Sequence, residues 1–230
     1  MDASLISMAA LAVVMWALLG AVVARHSRAL AVRVMVVTAA WLALTALVSR
    51  AGFFESWAPP RIVVLPLITL GTMFFVARTQ TARTLFAATP MQLVVLLQSF
   101  RIAVELTLFA LWKAGHAPQQ VTFEGRNFDV FVGLAAPVVA WLIARNRLSS
   151  AAIVAWNALG LAVLFNTIVT VLTSVPGPLH GEWPGAPFSE LGAWPIVWLP
   201  GFLAPLAIAL HVTSIRQALM RRDYAAAHGS

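Results

Sequence analysis

Few side chains in this sequence can do chemistry, and most of those stand among apolar neighbours. The sharpest group reads Gln98-Ser99-Phe100-Arg101-Ile102-Ala103-Val104-Glu105. Gln98, Arg101 and Glu105 are spaced i, i+3 and i+7 and so share one helical face, with Arg101 and Glu105 four apart and able to pair. Both charges fall near the middle of an apolar run. An arginine at the centre of a bilayer costs roughly 2.5–3.5 kcal/mol on translocon scales, so such groups belong inside a helix bundle. There Glu105 can serve as acid or base, while Arg101 can hold an anionic head group. The same two residues also fit a structural ion pair that fixes helix packing.

Thr122-Phe123-Glu124-Gly125-Arg126-Asn127-Phe128-Asp129 forms the second group. Asp129 near a helix N-terminus complements the helix dipole, and Asn127 can cap that helix. Glu124, Arg126, Asn127 and Asp129 would then close the outer side of a pocket floored by Arg101 and Glu105. A solvated turn before a capped helix is the plainer alternative. The third group is His211, with Ser214 and Gln217 three and six residues on. His211 is positioned to pass protons toward the opposite side, which makes Arg101, Glu105 and His211 the candidate catalytic residues. Asn157 and Asn166 lie nine apart, about 180° around one helix, so they face different neighbours. With Gln98 and Ser214 they complete the candidate ligand-binding set. A single intramembrane histidine assigns no cofactor. His116, His180, Glu182 and Glu124 match no metal-ligand spacing, so no metal is assigned.

Helices must position these groups. Of 230 residues, 61% are hydrophobic and only 10% charged, against roughly 45–50% and 25% in an ordinary soluble domain. Such a balance excludes a soluble enzyme, a disordered regulator and a nucleic-acid-binding domain. The net charge is +7, but the basic residues punctuate apolar runs and form no patch. The absence of cysteine excludes disulfides and thiolate chemistry.

A spanning helix needs about 20 mainly apolar residues. Seven runs fit: residues 5–24, 30–49, 62–77, 89–112, 128–144, 151–173 and 195–215. Thr89-Pro90 reads as an N-cap followed by proline at the first helical position. With the N-terminus outside, Arg25, Arg28, Arg33, Arg78, Arg83, Arg145, Arg147, Arg216, Arg221 and Arg222 fall in cytoplasmic segments. Arg50, Arg61, Lys113 and Arg126 fall outside. The positive-inside rule therefore predicts an all-α, polytopic transmembrane bundle of seven helices, N-terminus outside and C-terminus in the cytoplasm. Residues 1–220 form one transmembrane domain, and 221–230 a flexible tail. Segments 113–127 and 174–194 read as external loops.

Seven helices with an outer N-terminus are also the plan of microbial rhodopsins. Those require a lysine in the seventh helix, and Lys113, the only lysine, ends the fourth. Sugar-porter carriers share the helix count, and membrane terpene cyclases are similar in size and helix count and use buried carboxylates as acids, a likeness that stops at that level. The stretches Thr122 to Asp129, Trp156-Asn157 with Asn166, and Trp198-Leu199-Pro200-Gly201-Phe202 through His211 to Gln217 resemble a family of uncharacterised bacterial integral membrane proteins. That resemblance implies a bacterial inner-membrane location and brings no activity. The expectation is a protein with membrane lipids around it and a buried polar pocket for an apolar or lipid-like molecule. It would act as a membrane-embedded acid/base enzyme. A proton-coupled carrier and an accessory subunit of a membrane complex are the alternatives.

Overall fold

A computed structural model describes residues 2–228, with side chains through residue 222. Among these residues every regular element is helical. α1 (Ala3–Ala24) and α2 (Arg28–Arg50) form a hairpin. Asp2 starts α1 by accepting from the N–H groups of Ser4 and Leu5, and Ser27 starts α2 by accepting from Leu30 N–H. α3 (Val64–Val76), α4 (Gln80–Ala88), α5 (Met91–Leu97) and α6 (Phe100–Lys113) follow. α7 (Asp129–Ala144), α8 (Ser150–Ser174) and α9 (Ala204–His228) complete the bundle. α8 and α9 pack along one another, α7 lies on α5 and α6, and α1 packs on α6. The last two residues of the predicted 221–230 tail lie outside the described residues.

The burial pattern is the reverse of a soluble protein's. Val36, Leu47, Leu67, Phe75, Phe131 and Phe165 are exposed, whereas Arg101, Glu105, Asn127, Asn157 and His211 are buried. Hydrocarbon solvates the first set and would penalise the second. Five stretches are long and apolar enough to cross a membrane: Ala3–Ala24, Arg28–Arg50, Met91–Lys113, Ser150–Ser174 and Leu199–Arg222. A sixth joins them if the bent pair Arg61–Val76 and Gln80–Ala88 is one span. This is the make-up of a multi-pass membrane protein.

Two of the seven expected spans, residues 62–77 and 128–144, are already the shortest apolar runs in the sequence. α3 has 13 residues and α7 has 16. At about 1.5 Å per residue, neither covers the roughly 30 Å hydrocarbon core. α3 turns by 86° into α4, which the sequence reads as a loop. α4 is amphipathic: Ala82 is buried while Arg83 and Thr84 are exposed, and Thr79 Oγ1 caps it at Ala82 N–H. The cap expected at Thr89 is shifted by one residue. Pro90 occupies the N-cap of α5, and the Thr89 hydroxyl turns back to donate to Leu85 O at 2.8 Å.

The two expected external loops are also partly interior. Val121, Thr122 and Asn127 are fully buried, so the chain dips into the bundle between the 3₁₀ turn Gln119–Val121 and α7. Irregular backbone is tolerated at such depth only where protein surrounds it. In segment 174–194, Val175, Phe188 and Leu191 are buried, and Ser49 Oγ donates to Gly192 O at 2.7 Å.

Proline shapes the last span. Pro205 has no N–H, so Gly201 O loses its helical donor. Trp41 Nε1 and Thr69 Oγ1 supply it instead, at 2.9 and 3.1 Å, tying α2 and α3 to the π-helical turn Leu199–Leu203.

Candidate functional site

Arg101 stands in the first turn of α6 and reaches α7 and α9. Its Nε donates to Asp129 Oδ2 at 3.1 Å, and Nη2 donates to Asp129 Oδ1. This is the two-pronged fork that guanidinium offers a carboxylate. Nη1 lies 2.8 Å from His211 Nε2. Arginine only donates, so His211 Nε2 must accept, and the ring proton must sit on Nδ1. Nδ1 lies 2.9 Å from Asn157 Oδ1, which accepts it. That orients the Asn157 amide, whose Nδ2 donates to Ile153 O at 2.8 Å and Ser214 Oγ at 3.0 Å. The chain of bonds is consistent from Asp129 to Ser214 with every donor facing an acceptor.

Two glycines bring the helices close enough. A Cβ at Gly133 would press on Ile102 and Arg101, so α7 can lie against α6 only with glycine there. A Cβ at Gly160 would run into the His211 imidazole, so the ring fills the gap between α8 and α9 left by glycine.

Glu105 does not pair with Arg101, although the two are four residues apart. Asp129 and His211 draw the guanidinium toward α7 and α9, and Asn127 takes Glu105. Asn127 Nδ2 donates to Glu105 Oε1 at 2.5 Å and to Val121 O at 3.0 Å. Asn127 Oδ1 accepts from Asp129 N–H at 3.1 Å and Thr167 Oγ1 at 2.7 Å. Asn127 therefore links the charged face of α6 to the start of α7 and to α8. Glu105 is 0% exposed, and its Oε2 has no hydrogen-bond partner among the described residues.

A cavity of about 170 Å³ adjoins this carboxyl group. Arg101, Glu105, Asp129 and Thr167 are its polar lining, and the rest of the wall is aliphatic, aromatic or proline. Pro66 and Leu70 of α3, Ile168 and Leu172 of α8, and Leu203 and Ala207 all form part of that wall. α3 packs on α9 and the π-helical turn.

The other candidates lie apart from this cavity. Gln98 is buried and donates to Ala207 O at 3.2 Å. It sits at the break between α5 and α6, where Arg101 N–H and Ile102 N–H bond three residues back to Gln98 O and Ser99 O. Ser214 is bound within the polar network. Asn166 faces away from Asn157 and donates to Arg126 O at 2.7 Å. Glu124 and Arg126 are exposed and line a separate outer hollow of about 880 Å³ with Glu182, Trp183 and Glu190. His116 bridges Asp2 and Glu190 at 2.5 and 2.7 Å, and His180 bonds Val175 O at 3.0 Å. Gln217 donates to Phe86 O and Thr89 O at 2.6 and 2.7 Å, fastening α9 to the α4–α5 connection.

Thr167 is expected to bond its own backbone, as helical threonines do, and its hydroxyl does lie 3.2 Å from Val163 O, but it also reaches Asn127 and lines the cavity. Its spacing held the signal. Asn157, Gly160, Leu164 and Thr167 recur at three and four residues, on one face of α8. Every residue of the network and the cavity lies between positions 62 and 217.

No curated protein and no solved structure matches the chain. The family described as Domain of unknown function (DUF8737) matches residues 58–219, well over half of the chain, and this protein belongs to that family.

Proposed function

We propose that this protein is a seven-helix protein of the bacterial inner membrane that binds an apolar, lipid-like molecule with one polar head. Glu105 is the acid or base in that cavity. The observation that carries the reading is the buried Glu105 Oε2, without a partner, beside an apolar cavity. A buried carboxyl oxygen left unsatisfied costs free energy that only a ligand, a proton or a water can return. Arg101 and His211 take a different part from Glu105. They are bonded to Asp129, to Asn157 and to each other, so they hold the helices that shape the cavity. A proton route through them would pass Arg101, which does not give up its proton.

The topology rests on what shares an end of the bundle. His26 meets Thr89, Gln217 meets Phe86 and Thr89, and Arg221 meets Asn146, which gathers the arginine-rich connections together. Asp2, His116 and Glu190 meet at the other end. With arginines inside, the N-terminus is outside and the C-terminus in the cytoplasm.

Native mass spectrometry of the full chain in mild detergent tests this function. A small molecule of defined mass on the wild type, lost in Glu105→Gln, is the expected result. Bare protein, or bulk phospholipid indifferent to the substitution, rejects it.

One observation favours a carrier instead. Helix breaks at Gln98-Ser99 and Leu199–Leu203 lie in two of the spans that wall the cavity, and discontinuous helices build many transport sites. Flux of the co-purified molecule into proteoliposomes, dependent on a proton gradient, would decide for the carrier.

A further inference from the structure

The groups facing the cavity differ in what they still need. Asp129 has both oxygens on Arg101. Arg101 spends its Nε–H and one N–H of each terminal nitrogen on Asp129 and His211, which leaves one N–H on each terminal nitrogen. Thr167 has one hydroxyl proton, and its Oγ1 lies 2.7 Å from Asn127 Oδ1 and 3.2 Å from Val163 O, so that proton is already committed. Glu105 Oε1 is taken by Asn127, and Oε2 is left over. The walls add no polar side chain. Charge tells the same story. Arg101 and Asp129 cancel, so an ionised Glu105 has no counter-charge, and an anionic ligand would add a second negative charge at low dielectric.

We infer that the polar head received by this cavity is a hydroxyl or an amine, held at Glu105 Oε2, and not a carboxylate or phosphate. This rests on the cavity being a ligand site, as proposed above. A hydroxyl can both donate and accept, so it satisfies Oε2 whether or not the carboxyl keeps its proton. An amine can take that proton from Oε2 to its nitrogen, which converts acid and amine into an ion pair with no change in the site's total charge. Ring-sized compounds fit the space, since a dry cavity of about 150 Å³ admits benzene.

The test uses four probes on one ring: toluene, benzyl alcohol, benzylamine and benzoate. Ligand-observed NMR measures binding to the full chain in detergent, with Glu105→Leu beside the wild type and gel filtration as the check on folding. Benzyl alcohol or benzylamine should bind the wild type about tenfold more tightly than toluene does, the worth of one well-made hydrogen bond. That preference should vanish in the variant while toluene binding persists. Benzoate should not bind. If toluene binds but alcohol and amine gain nothing over it, the head assignment is wrong and the cavity stands. If benzoate binds best, the site takes anions and the assignment is overturned. If none of the four binds the folded wild type, the cavity is no ligand site and both readings fall. The comparison among probes on the wild type holds even if the variant does not fold.

Discussion

Arg101 and Asp129 lie 28 positions apart and form a buried ion pair. Removing one partner of such a pair strands the other, at a cost of about 3–5 kcal/mol, whereas removing both is often close to neutral. Arg101→Met and Asp129→Leu should therefore each lower unfolding stability by about that amount, and the double change Arg101→Met with Asp129→Leu by far less. A thermal-unfolding double-mutant cycle in detergent measures it, and additive losses would contradict the pairing. Gly160→Ala would force the His211 ring from its place, and overpacking of this kind costs about 1–3 kcal/mol in the same assay. The sequence singled out Arg101, Glu105, Asp129, Asn157 and His211 because charge and amide in an apolar run stand out, and all five are buried. It could not choose partners. Helical spacing offered Arg101 to Glu105, and only the approach of α7 across Gly133 gives the guanidinium a better acceptor. The aliphatic wall of the cavity was invisible for the opposite reason: in a chain so apolar, a lining leucine looks like any other.

At the scale of elements, irregular segments do the positioning. The dip before α7 brings Asn127 to Glu105, and the π-helical turn lets Gly201 O collect donors from two other helices. Thr69→Val removes one of those donors and should cost about 1 kcal/mol, with Trp41→Phe adding to it. Unfolding measurements on the single and double variants check this, and two silent variants would refute it.

A second device sits at the N-terminal end of α1, where His116 joins it to segment 174–194. Hydrogen bonds from Ser4, then Leu5 N–H and His116, hold the Asp2 carboxyl well below the usual range. The bond to Asp2, with help from Glu190, raises His116 above its ordinary value in spite of partial burial. Stability from a raised histidine is full below the unfolded value near 6.5 and is lost as pH rises through the folded one. Stability from a lowered aspartate is present above about 3.9 and fades as pH falls toward its folded value. The clamp should then be tightest between about pH 4 and 6.5 and loosen above. Hydrogen exchange in the first turn of α1 should follow that profile and lose it in His116→Ala. An unchanged profile in the variant would remove the clamp. None of this was legible beforehand, because contacts 74 and 114 residues apart leave no local pattern.

For the whole molecule, composition and the arginine pattern told most of the architecture: helical, multi-pass, with polar residues turned inward. Hydropathy already marked residues 62–77 and 128–144 as the shortest apolar runs, but it could not show where buried loops stand in for helix. With no native cysteine, single cysteines report topology cleanly. Glu182→Cys should react with an impermeant maleimide from outside intact cells, and Arg147→Cys only after permeabilisation. The reverse would invert the orientation.

The central claim is that Glu105 faces an accessible apolar cavity while Asp129 is fully occupied. Diisopropylcarbodiimide, a small apolar reagent that adds to carboxylic acids, tests it on the wild-type chain in detergent, with the adduct located by peptide mass spectrometry. The account predicts labelling at Glu105 and none at Asp129. Labelling of Asp129, or of neither carboxyl, would contradict it.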